Sequence, residues 1–155
     1  MKRSKRALTA ALAATGMACA GLVATAPAAP AATSGATAAY NGVCGSGYKV
    51  VNSAPVGSVG TVYLTYNSTS GKNCVVTIRN TAGSPTYMFA YLNTLDDPSD
   101  PAYDEGEYRS YAGPVYKYAR GMCVEWGGII GSWEAFNTGS NCGSLAARAT
   151  FSGKD

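Results

Sequence analysis

The chain has 155 residues, with 12 lysines and arginines against 9 aspartates and glutamates, and no histidine. The missing imidazole excludes Ser–His–Asp and Cys–His nucleophilic machinery and histidine metal sites. Four of the basic residues (Lys2, Arg3, Lys5 and Arg6) sit at the N-terminus; the rest of the chain balances 8 against 9, a net of −1, with no basic patch for nucleic acid or an anionic membrane.

Those four residues precede an apolar stretch, Ala7–Ala26, and then small residues with prolines up to Ala32. Residues 1–32 read as a secretory signal peptide. The stretch is rich in Ala, Thr and Gly and has no stop-transfer pattern behind it, unlike a membrane span. Cleavage is expected between residues 28 and 39, after Ala28, Ala31 or Ala38, because Pro27 and Pro30 make poor first residues. Cys19 falls inside the apolar run. A lipid anchor would want a larger aliphatic residue where Gly16 stands, so Cys19 is read as discarded with the leader. Residues 33–39 read as a mobile segment, 40–143 as the folded domain, and 144–155 as a tail or last strand.

Tyr40–Tyr48 (YNGVCGSGY) is glycine-rich and leads tightly into a short β-prone run, Lys49–Asn52. Ser53–Gly60 holds Pro55, Gly57 and Gly60 and reads as a turn. Gly60–Asn80 (GTVYLTYNSTSGKNCVVTIRN) carries two runs rich in Val, Ile, Thr and Tyr, Thr61–Tyr66 and Cys74–Arg79. Such residues suit a pleated, half-buried surface. Alternation puts Val62, Leu64 and Tyr66 in one stripe and matches them with Cys74, Val76 and Ile78. A hairpin results, with Gly71 supplying a positive φ in the loop Asn67–Asn73.

After a turn at Thr81–Pro85, Thr86–Asn93 (TYMFAYLN) is apolar on both alternating sets, as expected of a strand covered on both faces. Asp96–Glu107 is the acidic stretch; Pro98 and Pro101 mark it as an exposed loop. Tyr108–Ala119 reads as strand, break at Gly113-Pro114, strand. Gly121–Gly128 alternates Met122, Val124 and Trp126 against Cys123 and Glu125. Ile129–Phe136 is a further short strand or bend, and Asn137–Gly143 a cysteine-tethered loop. Short β-runs at intervals of about ten residues, with no helical period, predict an all-β domain: a small antiparallel sandwich or barrel.

Beyond the leader the cysteines are Cys44, Cys74, Cys123 and Cys142. An even number in an exported chain implies two disulfides. Metal ligation would want CxxC spacing or histidine, and neither is present. Four cysteines allow three connectivities. Cys44–Cys74 with Cys123–Cys142 is favoured because each pair flanks one contiguous block, each bridge adding about 3 kcal/mol by chain entropy.

Glu125 and Glu134 flank Trp126 and Trp133 around a Gly-Gly turn, which invites a glycosidase reading. Nothing in the sequence raises either pKa, and two solvent-facing glutamates are the plainer reading. The acidic stretch lacks the spacing of a calcium loop and is read as solvated. The Asn67-Ser68-Thr69 sequon is of chance level. No catalytic, cofactor or metal residue is expected. Tyrosine is abundant, eleven in all, and exposed tyrosines stack on sugars or pack against partners. Tyr108, Tyr111, Tyr116 and Tyr118, with Trp126 and Trp133, are the candidate surface-binding residues; the plainer reading of the tyrosines is edge-of-core side chains that keep their hydroxyls in water.

From Tyr40 onward the chain resembles the spore-associated protein A family of small exported proteins from streptomycetes and relatives. The resemblance rests on Tyr40–Ser53, Gly60–Asn80, Tyr108–Ser132 (YRSYAGPVYKYARGMCVEWGGIIGS) and Cys142. Departures are the acidic insertion around Asp96–Glu105 and the tail after Cys142. The resemblance implies a secreted, non-catalytic protein at the spore or aerial-hypha surface, with no catalytic residues to carry over. Its expected partner is a cell-wall or spore-surface polymer or protein. The alternative class is a carbohydrate-binding or enzyme-inhibitory module.

Overall fold

The computed structural model describes residues 37–142. The leader with Cys19, the rest of the segment 33–39 up to residue 36, and the tail 144–155 lie outside the described residues. Eight strands occupy most of that span: β1 Lys49–Val56, β2 Gly60–Asn67, β3 Lys72–Arg79, β4 Thr86–Thr94, β5 Ala102–Tyr108, β6 Tyr111–Tyr118, β7 Val124–Ile130 and β8 Trp133–Ser140. They form two four-stranded antiparallel sheets. Sheet 1 runs β1-β2-β3-β6 and sheet 2 runs β5-β4-β7-β8. The fold is a β-sandwich, one of the two all-β architectures that the short alternating runs predict.

The inner faces bury Val62, Leu64 and Val75 from sheet 1 against Met88, Leu92 and Trp126 from sheet 2. Fully burying side chains of this size contributes about 1.5–3 kcal/mol each. Gly128 brings the layers close: a Cβ there would overlap the Thr77 hydroxyl. That hydroxyl instead donates across the sandwich to the Phe89 carbonyl at 2.8 Å. At the open edge, Asp104 accepts from the Gly113 amide at 2.6 Å and from the Tyr108 hydroxyl at 2.7 Å, tying β5 to β6. Hydrogen bonds to an ionised carboxylate are among the stronger ones a fold can make.

Sheet 1 is covered on its outer face as well. Residues 38–48 lie over Tyr63, Val76 and Ile78. Cys44 is bridged to Cys74, and Tyr40 packs on Tyr63 with ring centroids 5.7 Å apart. The Ala38 amide donates to Asn80 Oδ1 at 2.8 Å, and the Tyr63 hydroxyl donates to the Ala38 carbonyl. The second bridge is Cys123–Cys142, so both pairs are those that contiguity favours.

Several sequence expectations need correcting. The stripes of the central hairpin are offset by one: Leu64 faces Val75 in the core, and Tyr63 faces Val76 on the outer side. Register here is set by the turn, with Asn67 opposite Lys72. β1 continues through Pro55, which an edge strand tolerates because it need not donate on its free side. The acidic stretch is a loop only as far as Pro101. Ala102–Tyr108 is an edge strand with Glu105 and Glu107 outward and Asp104 inward, and charge on an edge strand discourages edge pairing. The break expected at Gly113-Pro114 is a register irregularity within the continuous strand β6. β8 extends to Ser140 and takes in residues expected in the cysteine-tethered loop. β4 is buried on one face, not two: Met88, Ala90 and Leu92 are fully buried, whereas Tyr87, Phe89 and Tyr91 reach the outer surface.

Replacing both Cys44 and Cys74 by serine removes the bridge that holds the cover on sheet 1. The expected loss is about 3 kcal/mol, read from urea unfolding. Hydrogen exchange should speed up along β2 and β3 in the same variant. A loss well below 1 kcal/mol would show that the segment stays down without its bridge.

Candidate functional site

Strand β4 is hydrogen-bonded on both sides, to β5 and to β7. Its alternation therefore places Tyr87, Phe89 and Tyr91 on the outer face of sheet 2. The neighbouring strands add to that face in register. Tyr103 sits opposite Tyr91, Glu105 opposite Phe89, and Glu107 opposite Tyr87. On the other side Gly127 sits opposite both Tyr91 and Phe136. Tyr103 is 57 % exposed and Phe136 45 %.

The rings form one connected group. Phe89 lies 6.0 Å from Tyr91, 6.0 Å from Tyr103 and 6.4 Å from Phe136, and Tyr91 lies 6.1 Å from Phe136 in an edge contact. These separations are in the range of favourable aromatic pairs. Gly127 makes the group continuous. A Cβ at this position would overlap the Phe136 ring and crowd the Ala135 carbonyl. With hydrogen in its place, the Phe136 ring lies over β7 and reaches the rings of β4.

Four glutamates border the rings. The Tyr87 hydroxyl donates to Glu105 Oε2 at 2.9 Å, and this bond holds the phenol above its usual pKa. Glu125 accepts from the hydroxyls of Tyr91 and Thr138, each at 3.4 Å. Glu107 and Glu134 make no hydrogen bond or ion pair among the described residues. The result is a wide aromatic surface with acceptors around it. Glu125 and Glu134 do share this face, but they line neither of the clefts at the ends of the sandwich.

The six residues singled out from sequence do not come together. Trp126 is fully buried, its indole N–H donating to Ser140 Oγ at 2.8 Å, so it belongs to the core. Tyr108 is half-buried against the core and bound to Asp104. Trp133 is exposed but covers the β1–β2 turn at Gly57 and lines a cleft of about 460 Å³ with Arg79 and Asn80. Tyr111, Tyr116 and Tyr118 lie along β6 in sheet 1. Tyr116 is engaged with the N-terminal segment, packing on Tyr48 and donating to the Cys44 carbonyl at 3.2 Å. Tyr116 and Tyr118 also line an end groove of about 660 Å³ beside Asp97, Asp100 and Lys117. There Asp97 accepts from Ser99, which lowers its pKa, and Asp100 pairs with Lys117 at 3.3 Å. No three carboxylates or thiols gather as a cation site among the described residues.

Sequence reasoning missed the face of sheet 2. The signal lies in the apolar odd positions of Thr86–Asn93, which read from sequence as a second covered side. What was lacking was any indication that no further layer of the described chain lies over them.

A curated relative, Spore-associated protein A of Streptomyces coelicolor, is 69% identical over 144 residues, covering 93% of this chain and 93% of the relative. No protein-family model matches the chain, and no solved structure matches it.

Two measurements check this geometry. Gly127→Ala should cost about 1–3 kcal/mol through overpacking and should change the near-ultraviolet circular dichroism of the tyrosines beside Phe136. Tyr108 carries a pKa raised above the ordinary phenol value, first by its bond to Asp104 and then by burial. A raised folded-state pKa means stability that is complete below about pH 10 and is lost as pH climbs through the folded value. The advantage of the native chain over Tyr108→Phe should therefore be constant from pH 7 to 9 and shrink above pH 10, as read from urea midpoints.

Proposed function

The chain belongs to the spore-associated protein A family, and on that premise we propose a non-catalytic protein of the spore or aerial-hypha surface. In this reading it is exported by its N-terminal leader and attached through the outer face of sheet 2. The name of the relative supports the setting. The observation that supports the means of attachment is the difference between the two outer faces. Sheet 1 is covered over its two central strands by the chain's own residues 38–48, fastened through Cys44–Cys74, and its exposed rings, Tyr111, Tyr116 and Tyr118, lie along the edge strand β6. Sheet 2 leaves Tyr87, Tyr103 and Phe136 at the surface.

Burying such rings against a partner is favourable by roughly 25 cal/mol per Å² of apolar area. They lose little conformational entropy because they are already packed side by side. The non-catalytic part of the reading is supported by chemistry. The chain has no histidine, and all four cysteines of the described residues are paired. The carboxylates beside the rings act as acceptors for phenols or face water. The partner on this reading is a polymer of the cell wall or spore surface.

Fractionation of spores, mycelium and medium tests the reading. The native protein should sediment with spores. The double variant Tyr103→Ala, Phe136→Ala should keep its melting temperature within a few degrees and move to the medium. A folded double variant that stays on spores would remove sheet 2 from the attachment.

A further inference from the structure

Charge is divided between the two sheets. All eight carboxylate side chains of the described residues lie in sheet 2 or in the β4–β5 loop beside it: Asp96, Asp97, Asp100, Asp104, Glu105, Glu107, Glu125 and Glu134. All six basic side chains lie in sheet 1 or in the turns at the ends of β6: Lys49, Lys72, Arg79, Arg109, Lys117 and Arg120. Lys117–Asp100 is the one ion pair among the described residues. The aromatic face of sheet 2 therefore has four glutamates around it, none of them in an ion pair with a described residue.

We infer that this face binds a cationic amino-sugar polymer, a chain of hexosamine units carrying free amines. The inference rests on the attachment reading above and names the chemistry of the partner. Three features point to it. Exposed aromatic rings offer apolar planes on which the C–H side of a pyranose ring stacks, and an ammonium group gains further from lying against such a plane. Glu107 and Glu134 are exposed and unpartnered among the described residues, at β5 and β8 on opposite sides of the rings. Each is placed to form charge-assisted bonds with an amine at the rim of a stacked sugar. Finally, the face is a sheet surface. Peptide partners use a groove or a free strand edge, and β4 and β7, which carry its centre, have both edges already paired. A second copy of the same face would set four glutamates against four.

Calorimetry at pH 6 with the glucosamine hexamer and the N-acetylglucosamine hexamer tests the inference. The free-amine hexamer should bind at least tenfold more tightly. Its affinity should fall at least fivefold between 50 and 500 mM salt, in keeping with screening of exposed charges. Tyr103→Ala and the pair Glu107→Gln, Glu134→Gln should each weaken it at least tenfold while leaving the melting temperature in place. Equal affinity for the two hexamers, or binding untouched by these variants, would overturn the proposal. So would hexalysine binding as tightly as the sugar, which would assign the face to a basic protein. Sugar-free dimerisation abolished by Tyr103→Ala would assign it to a second copy and overturn the proposal equally. If the free-amine hexamer fails to bind while the Tyr103→Ala, Phe136→Ala variant still leaves spores, the amino-sugar assignment falls and the attachment reading stands.

Discussion

A strand hydrogen-bonded along both edges has no freedom in where its side chains go. β4 must bury Met88, Ala90 and Leu92 to build its half of the core, and the pleat then turns Tyr87, Phe89 and Tyr91 the other way. The Thr77 hydroxyl, bound to the Phe89 carbonyl over the gap left by Gly128, fixes β4 against β3 at this point. A shift of one residue would exchange the two sets and place three large rings in a core already filled by Trp126 and Leu64. The aromatic surface is thus a consequence of core packing, and its position is as well determined as the core itself.

The Trp-Gly-Gly run on β7 joins inside to outside. Trp126 fills the core, Gly127 lets Phe136 lie over the outer surface, and Gly128 admits Thr77 from the opposite sheet. Three consecutive residues thereby set the thickness of the sandwich, the continuity of the rings and the largest buried side chain. The acidic stretch is likewise divided in role. Asp104 points inward and ties the sheets together, Glu105 orders Tyr87, and Glu107 is left to solvent.

Much of the architecture was legible in the residues. Branched and aromatic runs gave the central hairpin, Gly71 its turn, and the spacing of punctuation the all-β class. Contiguity gave the cysteine pairing. What escaped was whatever depends on neighbours distant in sequence. Pro55 reads as a turn until β1 is seen to be an edge strand. Pro98 and Pro101 hide a strand that starts immediately after them. Tyr116 and Trp126 look available because aromatic residues announce size, not exposure; one is held by the N-terminal segment and the other by the core. The apolar outer set of β4 is where the site was hardest to read, since a strand covered on both faces and one exposed on its outer face have the same composition.

The division of charge has a consequence that precedes any contact. Among the described residues the carboxylates belong to sheet 2 and its loop and the lysines and arginines to sheet 1 and its turns, which makes this part of the chain an electric dipole directed from one sheet to the other. In dilute salt its field extends about 30 Å, shrinking to about 10 Å at 0.1 M. Near a positively charged wall it experiences a torque that turns the ring-bearing layer inward while still at a distance. A molecule turned this way presents to the other side the face stapled by Cys44–Cys74.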